Sequence, residues 1–301
     1  MAGPRPPLAF LGLGALGAPM AANLARAGFA LTLHNRSPER CRALATALQP
    51  GRKGGGASAV AVEADPAKAV AAAEIVCLCL SDDGAVDAVL QAASSGLRPG
   101  ALVVDFSTIA PATSRRLATE LAGRHVAYLD APGTGGTEGA RAGRLAVLVG
   151  GEASDLQRAR PLLEVVGQRI THLGPVGAGQ QAKAVNQVLV AGSYAAVAEA
   201  LALGRRLGLP MAQVVEALRG GAAGSWALEH RSAAMLQGEF PLGFRLALHR
   251  KDLAIALESA AACQLELPVT ERVAELEDAL IERGHGCLLY TSDAADDLQP
   301  V

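Results

Sequence analysis

Gly12, Gly14 and Gly17 stand in a Gly-x-Gly-x-x-Gly spacing, directly after an apolar run and at the mouth of the helix-forming stretch APMAANLARAG. Glycines so spaced hold a pyrophosphate. The first permits a tight turn, the second lets the phosphates reach bare backbone, and the third lets helix and strand pack closely, with the phosphates at the positive helix end. An ordinary glycine-rich turn is the alternative; the place between strand and helix favours a dinucleotide. Which dinucleotide is decided at the end of the second strand, where an Asp or Glu would bond a ribose 2′-hydroxyl and repel a 2′-phosphate. The chain reads HNRSPER there, so Asn35, Arg36 and Ser37 offer a guanidinium and two hydrogen-bonding side chains suited to a phosphate, with Glu39 close by. NADP(H) is expected over NAD(H), which stays possible. Leu13 and Leu16 in the turn, and Leu80 and Ser81 after the run IVCLC, are counted with the cofactor residues.

These residues need a frame. From Pro7 to about Gly174 short apolar runs alternate with longer Ala/Leu-rich stretches, the order of an α/β fold in which a parallel sheet is covered by helices. Strands are predicted at Leu8–Gly12, Ala30–His34, Ile75–Leu80, Ala101–Asp105, Val126–Leu129, Leu145–Val149 and Arg169–Leu173. Helices between them include Ala15–Ala27, Ala85–Ala93, Pro111–Ala122 and Ala153–Val165. After Gly174 the glycine-rich joint GPVGAGQQ leads into Gln180–Leu207, which reads as one long helix, and further helices are predicted at Met211–Leu218, Phe244–Cys263 and Val269–Glu282. The second domain is therefore all-helical. The domains are set at 1–176 and 177–286, followed by an atypical tail, 287–301, expected to be disordered or loosely attached. GRKGGGAS, Gly51 to Ser58, reads as a solvated basic loop.

Composition narrows the chemistry. The 301 residues carry 27 Lys plus Arg against 29 Asp plus Glu, a formal charge of −2, and 3% aromatics, which excludes a basic, base-stacking surface for nucleic acid. Five cysteines, Cys41, Cys77, Cys79, Cys263 and Cys287, show neither zinc spacing nor a disulfide framework, so a reducing, cytoplasmic setting is expected. Cys77 and Cys79 alternate along a strand as packing residues. The six histidines have no metal spacing, with only His34 and His249 at motif margins, and no metal is predicted. Neither a signal peptide nor a membrane span is read in the first residues, and no Ser-His-Asp order points to a hydrolase.

Taken in order, the glycine fingerprint, DFSTIAPATS, LDAPGTGGTEGARAGRLAVLVGG, GAGQQAKAVNQ and HRKDLAIALE resemble the β-hydroxyacid dehydrogenase family. That family includes 3-hydroxyisobutyrate dehydrogenases, tartronate semialdehyde reductases and glyoxylate/succinic semialdehyde reductases. The resemblance runs from about Leu8 to Gly286. It implies a Rossmann-like, doubly wound domain joined by a long interdomain helix to a helical domain, an active site in the cleft between them, and homodimers or homotetramers. The implied partner is a small carboxylate-bearing aldehyde or hydroxyacid, with no nucleic acid and no membrane. The implied activity is NAD(P)-dependent 3-hydroxyacid dehydrogenase or semialdehyde reductase chemistry on CH–OH groups.

Carried over residue by residue, the resemblance makes Lys183 the acid/base. Carbonyl reduction needs a proton source for the developing alkoxide, and an ammonium can serve if burial or the oxidised nicotinamide lowers its pKa. Asn186 and Gln187, three and four residues on, share its helix face; Asn186 orients the lysine or the substrate, and Asn-Gln is the pair of tartronate semialdehyde reductases. Thr108 stands near nicotinamide and substrate, although Ser107 or Thr108 can equally cap the next helix. In the substrate loop Pro132, Gly133, Thr134, Gly135 and Gly136 replace the usual Pro-Val-Ser-Gly-Gly, so Thr134 and the Gly135 and Gly136 amides are expected to hold the carboxylate in an altered pocket. Lys251 approaches cofactor or substrate with support from Asp252. Trp226 is read as helix packing, and Phe244 stands in the similar stretch PLGFRLALH. An imine reductase on the same architecture, and a nucleotide-binding protein without chemistry, are the alternatives.

Overall fold

Runs such as LAFL and IVCL are apolar at every position, the signature of strands covered on both faces by helices. The computed structural model describes residues 5–48, 60–238 and 245–286. It divides into two compact units, Met1–Lys183 and Ala184–Val301. The loop Gly51–Ser58, Phe244 and the tail 287–301 lie outside the described residues.

In the first unit the chain runs β1 (Leu8–Leu11), α1 (Gly17–Arg26), β2 (Leu31–His34), α2 (Pro38–Leu48), β3 (Val60–Val62), α3 (Pro66–Val70), β4 (Ile75–Leu78), α4 (Asp83–Ala93), β5 (Leu102–Asp105), α5 (Pro111–Ala122) and β6 (Ala127–Asp130). It continues through β7 (Gly133–Thr134), α6 (Gly136–Ala142), β8 (Leu145–Gly150), α7 (Ala153–Val166), β9 (Gly167–Gly174) and α8 (Ala178–Arg206). The sheet order is β3-β2-β1-β4-β5-β6-β8-β7, with β9 paired to β8. The six strands from β3 to β6 are parallel in register, Leu8 opposite Leu31 on one side and Ile75 on the other. β8 pairs antiparallel with β6 and β7. Because the chain leaves β1 toward β2 and later returns beside it as β4, the turn after β1 opens at the switch in strand order, where a doubly wound sheet binds its ligand.

The period of two splits the strands between two cores. Phe10, Leu33, Cys77 and Val104 pack with Met20, Leu24, Leu156 and Leu162 of α1 and α7. Leu11, Val76, Leu78 and Val103 pack with Val86, Leu90, Leu117 and Leu121 of α4 and α5. The sheet is covered on both faces, as expected.

In the second unit α8 continues and is followed by α9 (Met211–Leu218), α10 (Trp226–Gln237), α11 (Leu246–Ala262) and α12 (Pro268–Glu282); no strand occurs there among the described residues. Val197, Leu201, Leu228, Met235, Leu246 and Leu280 form its main core. A buried pair, His249 Nδ1 and Glu277 Oε1 at 2.7 Å, joins α11 to α12. α8 is long and apolar enough to cross a membrane by composition alone, yet it opens on polar groups that the protein buries, Gln180, Lys183 and Gln187.

Predicted and observed strand ends agree to within two residues for the seven strands read from the sequence, and Pro111–Ala122 and Met211–Leu218 agree at both ends. β3 and β7 are additions of three and two residues, too short to show a period. α10 is another addition, bracketed by Ser225, whose side chain accepts from the Leu228 amide, and by Gly238 in the left-handed region.

Candidate functional site

The turn after β1 has the shape its glycines imply. Gly12 has φ +100, and a Cβ there would lie 2.3 Å from the Cys79 carbonyl oxygen; a Cβ at Gly17 would lie 2.0 Å from the Gly12 carbonyl oxygen. Around Gly14 an added Cβ would meet nothing within 4 Å. Two glycines are demanded by the protein's own backbone, and the middle one leaves open space where a pyrophosphate approaches. α1 begins here with no side-chain cap and no acid in its first turn, so its end keeps its positive character. These residues fit a dinucleotide.

Leu13 is buried, and its amide donates to Asn35 Oδ1 at 3.0 Å, while Asn35 Nδ2 donates to the Ser37 carbonyl at 3.2 Å. Asn35 thus fastens the glycine turn to the end of β2, and Arg36 and Ser37 beside it are exposed. Leu16 packs against the core below the turn. On the neighbouring strand end, the Leu80 amide donates to Ser107 Oγ at 2.9 Å, and Ser81 Oγ donates to Asp82 Oδ2 at 2.6 Å. Burial pushes the Cys77 thiol up and the Cys79 thiol to about 12, so neither is a thiolate near neutrality.

Thr108 follows β5 in a tightly held loop. Asp105 is fully buried; its Oδ1 accepts from the Ser107 amide at 2.8 Å and its Oδ2 from the Tyr128 hydroxyl at 2.9 Å. Burial raises the Asp105 carboxyl to about 6, against the pull of those donors. Burial likewise drives the Tyr128 hydroxyl well above its usual range. Ser107 serves as a strut to Leu80, and Thr108, half-buried, is the next hydroxyl along the loop.

Lys183 is 8% exposed, and its Nζ donates to the Gly133 carbonyl at 3.0 Å, across 50 residues of sequence. The ammonium is therefore held at Gly133, the residue before Thr134–Gly136. Gly135 and Gly136 have φ +129 and +65, a path no side chain follows cheaply, and so the loop turns with its amides uncovered by Cβ atoms. Asn23 of α1 donates to the Ala140 carbonyl at 2.9 Å, fastening α6 to the helix of the glycine turn.

Asp130 and Gln180 are brought into this region although the sequence reading gives them no part. Asp130 Oδ1 accepts from the Gly177 amide at 2.7 Å and its Oδ2 from the Gln180 amide at 2.8 Å, so β6 caps the start of the helix that carries Lys183. Burial raises the Asp130 carboxyl and these amides oppose the rise. A Cβ on Gly150 would come within 2.5 Å of Asp130 Oδ1, and one on Gly179 within 2.8 Å of Oδ2. An acid that ends a mostly apolar strand just before the glycine-rich loop Pro132–Gly136 is the signal that could have revealed Asp130.

In the second unit a chain of polar groups runs through Asn186, Gln187, Asp252 and Lys251. Asn186 Nδ2 donates to Gln187 Oε1 at 2.7 Å, Gln187 Nε2 donates to Asp252 Oδ2 at 2.7 Å, and Lys251 Nζ lies 2.8 Å from Asp252 Oδ1. The Asp252 oxygen accepts from Nε2, which fixes the Gln187 amide with Oε1 toward Asn186 Nδ2, and through it the Asn186 amide. His34 bonds the Glu63 carbonyl, and no group of three or more His, Cys, Asp and Glu that could hold a metal occurs among the described residues.

Two family models match. The NAD-binding domain of 6-phosphogluconate dehydrogenase covers residues 7–174, and the NAD-binding domain of NADP-dependent 3-hydroxyisobutyrate dehydrogenase covers residues 177–289. The chain is 37% identical to 2-hydroxy-3-oxopropionate reductase of Escherichia coli, over 92% of each chain. It is also 37% identical to an NAD-dependent L-serine dehydrogenase of Pseudomonas aeruginosa, over 92% of this chain and 93% of that one. Among solved structures, 3-hydroxyisobutyrate dehydrogenase of Mycobacterium tuberculosis with L-serine superposes at a TM-score of 0.85, with 32% identity over 99% of this chain and 100% of the other.

Proposed function

Because this chain belongs to the β-hydroxyacid dehydrogenase family, we propose that it is an NADP(H)-dependent oxidoreductase that interconverts a small β-hydroxyacid and its semialdehyde. Tartronate, methylmalonate and succinic semialdehydes are the candidate substrates. The observation that carries the reading is the buried Lys183 ammonium bonded to the Gly133 carbonyl, in the same unit as the glycine turn.

The dinucleotide, when bound, supplies or accepts the hydride at the carbon that changes between alcohol and aldehyde. Gly12, Gly14 and Gly17 with the first turn of α1 hold its pyrophosphate, and Leu13, Leu16, Leu80 and Ser81 line its path. Arg36 and Ser37 meet the 2′-phosphate, and Asn35 holds the turn in shape for both. Lys183 gives its proton to the oxygen of the carbonyl during reduction and takes one from the hydroxyl during oxidation. Thr108, Thr134 and the Gly135 and Gly136 amides hold the substrate, its carboxylate on the last three. Asn186 and Gln187, on the next turn of α8, orient it, and Lys251 adds a second cation for cofactor or substrate. The protein acts in the cytoplasm as a homodimer or homotetramer; the exposed apolar residues Val185, Leu189, Leu203 and Leu207, on one side of α8 and its end, support self-association.

The test is Lys183→Ala. NADPH affinity stays near that of the parent, while kcat for reduction of tartronate or succinic semialdehyde falls by about 10²- to 10⁴-fold. Turnover equal to the parent overturns the assignment.

A further inference from the structure

Gln180 is 1% exposed and takes no part in the chemistry above, yet it makes three hydrogen bonds. Its amide N–H donates to Asp130 Oδ2 at 2.8 Å. Its side chain reaches 73 residues back: Nε2 donates to the Ser107 carbonyl at 2.8 Å, and Oε1 accepts from the Ile109 amide at 3.3 Å. A primary amide has one donor end and one acceptor end, and this loop offers one acceptor and one donor in matching order. The two bonds bracket Thr108. Gln181, its neighbour, is exposed.

Lys183 follows Gln180 by three residues on α8, so the two lie on one side of that helix. We propose that Gln180 is a positioning residue, which fixes the Thr108 hydroxyl relative to the Lys183 ammonium by locking the first turn of α8 to the loop 107–109. Asp130 holds the same turn to β6, and Asp105 holds the far side of the loop through the Ser107 amide. With Gln180 removed, α8 still starts where Asp130 caps it, but nothing on that helix grips both sides of Thr108. The proposal rests on the reading of Lys183 as the acid/base.

Gln180→Met keeps the length of the side chain and removes both polar ends. The expected result is a folded protein with kcat lowered about 10- to 100-fold and KM and NADPH affinity changed by no more than about threefold. In the cofactor-free protein, deuterium exchange at the Ile109 amide becomes faster. Gln180→Glu keeps the acceptor for the Ile109 amide but sets a carboxylate oxygen against the Ser107 carbonyl; protonation restores the donor. Its deficit in kcat relative to the parent therefore shrinks as pH is lowered.

Lys183→Ala is assayed beside them. If it turns over like the parent, the lysine reading fails and the positioning role falls with it. If Lys183→Ala is inactive while Gln180→Met keeps kcat within about twofold of the parent, or while Ile109 exchange is unchanged, the positioning role alone is overturned. Should Gln180→Met not fold, Gln180→Glu decides: a deficit that does not vary with pH overturns the role.

Discussion

Replacing Gly14 and Gly17 by alanine, one at a time, separates what the fold needs from what the ligand needs. At Gly17 the new methyl would stand 2.0 Å from the Gly12 carbonyl oxygen, where ordinary contact begins at 3.4 Å. Backbone must yield by more than about 1 Å in a close-packed interior. Overpacking of that kind costs about 1–3 kcal/mol, and the cofactor-free protein should melt several degrees lower. At Gly14 the methyl meets nothing, and φ lies outside the left-handed region. Loss of glycine's freedom in the unfolded chain then stabilises the protein by about 0.4–1 kcal/mol. The same methyl occupies the approach to the pyrophosphate, so NADPH binding weakens by at least about tenfold, 1.4 kcal/mol. Thermal melts without cofactor and a fluorescence titration with NADPH read the two effects. Unchanged NADPH affinity in Gly14→Ala, or an unchanged melt in Gly17→Ala, would refute the assignment of the turn.

Two other outcomes follow from the site. Arg36→Ala should weaken NADPH by about tenfold and leave NADH unchanged; equal losses for both would remove Arg36 from the 2′-phosphate. Asp105 has its carboxyl raised to about 6 in the folded protein by burial, from an ordinary value of 3.8. The folded state therefore holds a proton that the unfolded chain has lost, and stability declines as pH rises from about 4 to about 6. The decline is of order 3 kcal/mol. Asp105→Asn cannot titrate, so denaturant melts across that range should show a shallower fall than the parent, and parallel curves would count against a buried, proton-sharing Asp105.

The parts legible in the sequence are those with local signals. Strands covered on both faces are mostly apolar runs, and the glycine turn declares itself within six residues. α10 is less legible, because Glu229, His230 and Arg231 interrupt its apolar pattern, although Ser225 and Gly238 mark its ends. Long-range contacts leave no such trace. The bond from Lys183 to Gly133, the bracket of Gln180 around Thr108 and the bond from Gln187 to Asp252 span 50, 73 and 65 positions. Motif resemblance named several of these residues, but only the fold shows which atoms meet. Asn35 is the instructive case: its type suits a phosphate, yet both of its polar ends already bond the protein's backbone.

That commitment bears on any effort to retune the coenzyme. The segment from Asn35 to Ser37 is a single stretch in which one residue is a structural rivet and the next two are open to the solvent. A library that randomises all three would discard most of its members through a collapsed phosphate turn. One that keeps Asn35 and varies only Arg36 and Ser37 samples coenzyme preference on an undamaged scaffold.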